Sequence, residues 1–67
     1  MTDSTALRKA VDKSGLKYIK IAGEMGISPY TLQKKIDNET EFKASEIVKL
    51  CVLLSLSDME RSAIFFA

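Results

Sequence analysis

Sixty-seven residues allow one domain, residues 1–67, and a chain this short buries only about 60% of the surface its unfolded form exposes. Its 46% apolar and 28% charged residues are the composition of a globular domain, neither disordered nor membrane-spanning. One cysteine, Cys51, and no histidine exclude an intramolecular disulfide, a Cys/His zinc site within one chain, and Ser-His or Cys-His nucleophiles. No metal or cofactor is expected, no small-molecule ligand is evident, and an enzyme is not expected, because so short a chain supplies few walls for a pocket. The longest apolar run, Leu50-Cys51-Val52-Leu53-Leu54, is too short to span a bilayer, and no signal-peptide block opens the chain. A soluble, cytoplasmic protein is the expectation.

The net charge of +1 conceals an asymmetry. Residues 1–36 carry seven basic and three acidic side chains, net +4, and residues 37–67 carry three basic and six acidic, net −3. A basic half facing a polyanion and two ordinary solvated faces both fit that split.

Hydrophobic spacing and punctuation predict five short helices. Ala6, Leu7, Ala10 and Val11 form one stripe of a helix over Ser4–Ser14, with Gly15 in the left-handed capping place. A second helix is expected over Lys17–Met25, with Ile21, Ala22 and Met25 inward, ending at Gly26. Ser28 as N-cap and Pro29 at the first helical position start a third helix running to about Asp37, with Leu32 and Ile36 buried. Asn38 ends it, and residues 37–43 form an acidic loop in which Phe42 plugs the edge of the core.

The fourth helix is expected over Ala44–Leu54. Ile47, Leu50, Cys51 and Leu54 form its stripe, widened by Val48 and Val52, so it should be the most buried. Cys51 reads as a small buried hydrophobe and Met25 and Met59 as core filler. Ser57-Asp58-Met59-Glu60 is a capping box opening a fifth helix that continues to the chain end.

The most specific signal lies where the second and third helices meet, Ile21-Ala22-Gly23-Glu24-Met25-Gly26-Ile27-Ser28-Pro29-Tyr30-Thr31-Leu32. Two helices crossing steeply over a short turn need a small residue at the crossing, Ala22, and a residue tolerant of positive φ in the turn, Gly26. Ile27 pins the turn to the core. Leu32 and Ile36 anchor the third helix and leave Pro29, Tyr30, Gln33 and Lys34 outward.

On these residues the chain resembles the lambda-repressor-like helix-turn-helix family, the Cro and CI type of phage and bacterial regulators, over residues 5–66. The loop Ile36-Asp37-Asn38-Glu39-Thr40-Glu41-Phe42 is similar to the one that follows the recognition helix in such proteins. The resemblance implies a compact all-α, five-helix fold and a sequence-specific DNA-binding transcriptional regulator. Its recognition helix, about 29–37, would enter the major groove of double-stranded DNA.

Ser28, Pro29, Tyr30 and Gln33 are then the base-reading candidates, and Lys17, Tyr18, Lys20 and Lys34 the phosphate-binding ones. Tyr18 stands where such proteins often carry a phosphate-contacting glutamine, and Lys17 where a Ser or Thr cap is common. Glu39 and Glu41 cannot help to bind phosphate. A homodimer on a palindromic operator is expected, through Ile64 and Phe65 at the end of the fifth helix. The reasoning there is that Met59, Ala63 and Phe66 fit one inward stripe and leave those neighbours outside it. The alternative is a helical protein-interaction module of antirepressor or antitoxin type that binds no DNA, which the near-zero net charge and acidic second half favour.

Overall fold

In a computed structural model that describes residues 1–66, the chain forms α1 (Ser4–Ser14), α2 (Tyr18–Met25), α3 (Pro29–Ile36), α4 (Ala44–Leu53) and α5 (Asp58–Phe65). No strand is present among the described residues. The expected helices stand, trimmed by a residue or two, because local capping chemistry sets their ends. Asp3 Oδ1 accepts the Ala6 N–H at 3.1 Å and starts α1. Ser28 Oγ accepts the Thr31 N–H at 3.0 Å and Pro29 takes the first position of α3.

Ser57 and Glu60 form the reciprocal box of α5, at 2.9 and 3.1 Å. In α4 only half of such a box exists. Glu46 Oε1 accepts the Lys43 N–H at 2.8 Å, but Lys43 has no side-chain acceptor to return. The expected continuation of α5 to the last residue stops at Phe65, and residue 67 lies outside the described residues.

The turn between α2 and α3 is held by backbone bonds. Gly26 takes φ +73°, donating to the Gly23 carbonyl at 3.2 Å, while the Ile27 N–H reaches the Ala22 carbonyl at 3.0 Å. This paired closure requires a left-handed residue, which glycine adopts without a Cβ penalty. Asn38 (φ 67°) and Ser55 (φ 54°) close α3 and α4 the same way at higher steric cost.

The core is built around α2, which packs on α3 and α4, while α1 packs on α3 and α5. Leu7, Ile21, Leu32, Ile36 and Leu50 are fully buried, joined by Val11, Ala22, Met25 and Leu54. Phe42 lies edge-on to Phe65, ring centroids 5.6 Å apart, and closes one end as expected. The Asp3 N–H donates to the Ile64 carbonyl at 2.6 Å and ties the start of α1 to α5. No helix is long and apolar enough to cross a membrane among the described residues.

Three expectations about burial are overturned, one of them Met59 as core filler, since it is 84% exposed. Val48 and Val52 do not widen a buried stripe on α4 but are 61% and 74% exposed. Both lie two residues from buried Leu50, a rotation of about 200°, so they point away from α2. At the end of α5, Ile64 and Phe65 are the inward pair, 5% and 4% exposed, whereas Met59, Ala63 and Phe66 face out. The bond to Asp3 and the ring contact with Phe42 select that register. Ile64 and Phe65 are therefore core residues, not the surface interface expected of them.

Candidate functional site

Helix α3 divides cleanly into two faces. Leu32, Lys35 and Ile36 are buried, and Pro29, Tyr30 and Gln33 are exposed. Lys34 is partly covered because its Nζ lies 5.3 Å from the Tyr30 ring centroid, a cation–π pair one helical turn long. The outward face thus presents a proline ring, a phenol, a carboxamide and an ammonium, with no acid among residues 28–36.

Ser28 is exposed, yet its hydroxyl is engaged in the cap. It accepts the Thr31 N–H and bonds Thr31 Oγ1 at 2.9 Å. The side chain expected to read a base is committed to holding the first turn of α3.

The flanking candidates differ among themselves. Lys17 is exposed at the N-cap of α2 and makes no capping bond, so no side chain closes that helix start. Tyr18 is half-buried against the core. Lys20 forms an exposed pair with Glu24 at 3.1 Å one turn on, of the kind worth about 0.3–0.5 kcal/mol. Among the described residues Lys17 and Lys34 make no ion pair.

Two ion pairs join α3 or its C-cap to distant segments. Arg8 of α1 pairs with Asp37 at the C-cap of α3 and offsets the charge of the acid that ends that helix. Lys35 is 8% exposed. Its ammonium lies 3.1 Å from Glu46 Oε1, donates to the Glu41 carbonyl at 2.9 Å and sits 6.0 Å from the Phe42 ring centroid. One lysine thereby fastens α3 to the acidic loop and to α4, and is withdrawn from any phosphate.

Burial pushes the Glu46 carboxyl up, but the Lys43 N–H and the hydrogen bond and charge of Lys35 outweigh it, leaving the group below its ordinary value. Burial raises the Cys51 thiol above its ordinary value, which suits a packed side chain better than a nucleophile. No group of three or more His, Cys, Asp or Glu able to hold a metal is present among the described residues.

The sequence reading missed Lys35; the signal that could have found it is its position, three after Leu32 and one before Ile36, which puts it on the inward face. Its partners, contributed from the loop and α4, left no such signal. Compared with models of known protein families, with curated proteins and with solved structures, the chain matches none of them.

Proposed function

We propose that this chain is a sequence-specific DNA-binding regulator of the lambda-repressor-like type, in which α2 and α3 act as the helix-turn-helix and α3 enters the major groove. The observation that carries the reading is the outward face of α3, with Tyr30, Gln33 and Lys34 beside Pro29 and no acid between them. An α-helix with its side chains is about 10–12 Å across, and the B-DNA major groove, about 12 Å wide, admits it.

Gln33 is the principal base-reading residue, since its carboxamide can donate to and accept from an adenine edge together. Tyr30 offers its ring to a thymine methyl or its hydroxyl to a base, and Pro29 packs on the groove edge. Ser28 contributes by holding the first turn. Lys34 and Lys17 serve phosphates, and the uncapped start of α2 offers backbone amides to one more. Lys20 can exchange Glu24 for a phosphate, because an exposed pair of this kind is weakly held.

A second reading rests on exposed Ile19 on α2 and the exposed acids Glu39 and Glu41 after α3. In that reading the same face docks a protein.

Selection of bound duplexes from a random pool separates the two. Enrichment of a defined half-site supports DNA reading, and recovery of no preferred sequence refutes it. On an enriched site, Gln33→Ala should lose about 1–3 kcal/mol and relax preference at one base pair. Equal loss on cognate and random duplex would remove the base-reading role.

A further inference from the structure

The outward stripe of α3 does not end at Lys34. Asp37 follows Gln33 by four residues and Tyr30 by seven. Its dihedrals stay near-helical, φ −77° and ψ 2°, and its N–H donates to the Gln33 carbonyl at 2.9 Å. Helical spacing therefore sets its carboxylate in line with Tyr30, Gln33 and Lys34. An acid is unfavourable there on two counts. It sits at the negative end of the helix dipole, and it faces the phosphates that border any groove α3 enters.

The neighbouring sequence deepens the charge. Residues 37–42 hold three acids, Asp37, Glu39 and Glu41, and no base. Lys35, just before them, is buried against Glu46. The base that meets Asp37 comes from another element, Arg8 of α1. Asp12 stands one turn further along α1, in the less favourable order for an i,i+4 pair, and makes no ion pair with Arg8.

The contact with Asp37 does not use up Arg8. Its side chain is 49% exposed, against 28% for Asp37, and Nη2 alone is engaged among the described residues, as donor to Asp37 Oδ1. A guanidinium carries five N–H donors in a rigid fork, so one edge can hold a carboxylate while another takes a second oxyanion.

We infer that Arg8, while paired with Asp37, binds a phosphate of the DNA backbone beyond the last turn of α3. The inference rests on the DNA-binding reading and adds to it a contact from α1. Lys17, Lys20 and the open start of α2 act from α2, and Lys34 from α3 itself. Arg8 supplies positive charge where the chain after α3 offers acids, and its pairing with Asp37 limits the side-chain freedom lost on binding.

Binding of a mixed-sequence duplex, followed by fluorescence anisotropy over about a fourfold range of salt, tests this. Arg8→Ala should lower the slope of log K against log salt by about 0.9, so that the rise in salt costs the variant about 3.5-fold less affinity than it costs the unaltered chain. Lys49→Ala removes the same charge from an exposed position on α4 and should leave the slope unchanged. The same comparison is then made in an Asp37→Asn background. A residue that touches phosphate does so with or without the acid, and Arg8→Ala should again lower the slope by about 0.9. A residue that only masks Asp37 has no effect once the acid is gone. If Arg8→Ala lowers the helix signal in circular dichroism, Arg8→Gln, which keeps the stem and removes the charge, is read in its place.

An unchanged slope on loss of Arg8, an equal fall for Lys49→Ala, or an Arg8 effect that vanishes with Asp37→Asn would overturn the inference. The DNA reading then still stands on a half-site enriched from the random pool. A chain that binds no duplex at low salt overturns both.

Discussion

Replacing Lys35 by alanine removes three things at once: the 3.1 Å pair with Glu46, the 2.9 Å bond to the Glu41 carbonyl and the packed stem beside Phe42. Glu46, 9% exposed, is left as a nearly buried carboxylate whose remaining partner is the Lys43 N–H. Removing one member of a buried ion pair costs about 3–5 kcal/mol. The surviving backbone bond places this case at the lower end, about 3 kcal/mol. For a domain of this size about 3 kcal/mol lowers the melting temperature by about 12–24 °C, against a total stability on the order of 3–10 kcal/mol.

Lys35→Met/Glu46→Gln keeps the stem and the cap acceptor while removing both charges, and should cost less than Lys35→Ala alone. The pH dependence follows with a fixed sign. A carboxyl held below its ordinary value contributes stability that is present at neutral pH and lost as pH falls through the folded-state value. The unaltered chain should therefore lose more stability than the double variant on acidification through and below the ordinary carboxylate range. Urea denaturation at pH 7 and pH 3, with Lys34→Ala, a partly exposed lysine outside any ion pair, as the control, measures all of this. If Lys35→Ala and Lys34→Ala agree within about 0.5 kcal/mol at pH 7, the buried pair does not fasten α3 and the reasoning fails.

Three further outcomes are expected. Ala22 has no exposed surface and its carbonyl closes the turn after α2, so Ala22→Leu should cost about 1–3 kcal/mol by overpacking, and an unchanged melting temperature would show that the helices do not cross there. Gly26→Ala should cost about 1–2 kcal/mol from backbone strain alone, because an added Cβ at φ +73° meets nothing within 4 Å; a larger loss by thermal melting would point to a clash. On any duplex the chain binds, Lys34→Ala should weaken specific and random sequences alike and lower the slope of log K against log salt by about one, a slope that phosphate-independent binding would leave unchanged.

Local chemistry was enough to place the five helices. The capping pattern at Ser28-Pro29 and Ser57-Glu60, the left-handed Gly15 and Gly26, and the apolar spacing of α1 to α3 each act within a few residues of the chain. The outward set of α3, Pro29, Tyr30 and Gln33, was legible for the same reason, since Leu32 and Ile36 fix the rotation of so short a helix. Where a stretch is apolar all round, as in α4 and at the end of α5, rotation depends on what lies opposite. The stripe with Leu50 and Leu54 was legible, but only the packed structure turned Val48 and Val52 to the outside, and only the contacts with Asp3 and Phe42 chose Ile64 and Phe65 over Phe66. The same limit applies to Lys35. Its spacing beside Leu32 and Ile36 was not enough to read it as buried, because a charge is stable there only when Glu46 and the Glu41 carbonyl arrive from the next helix and loop to meet it.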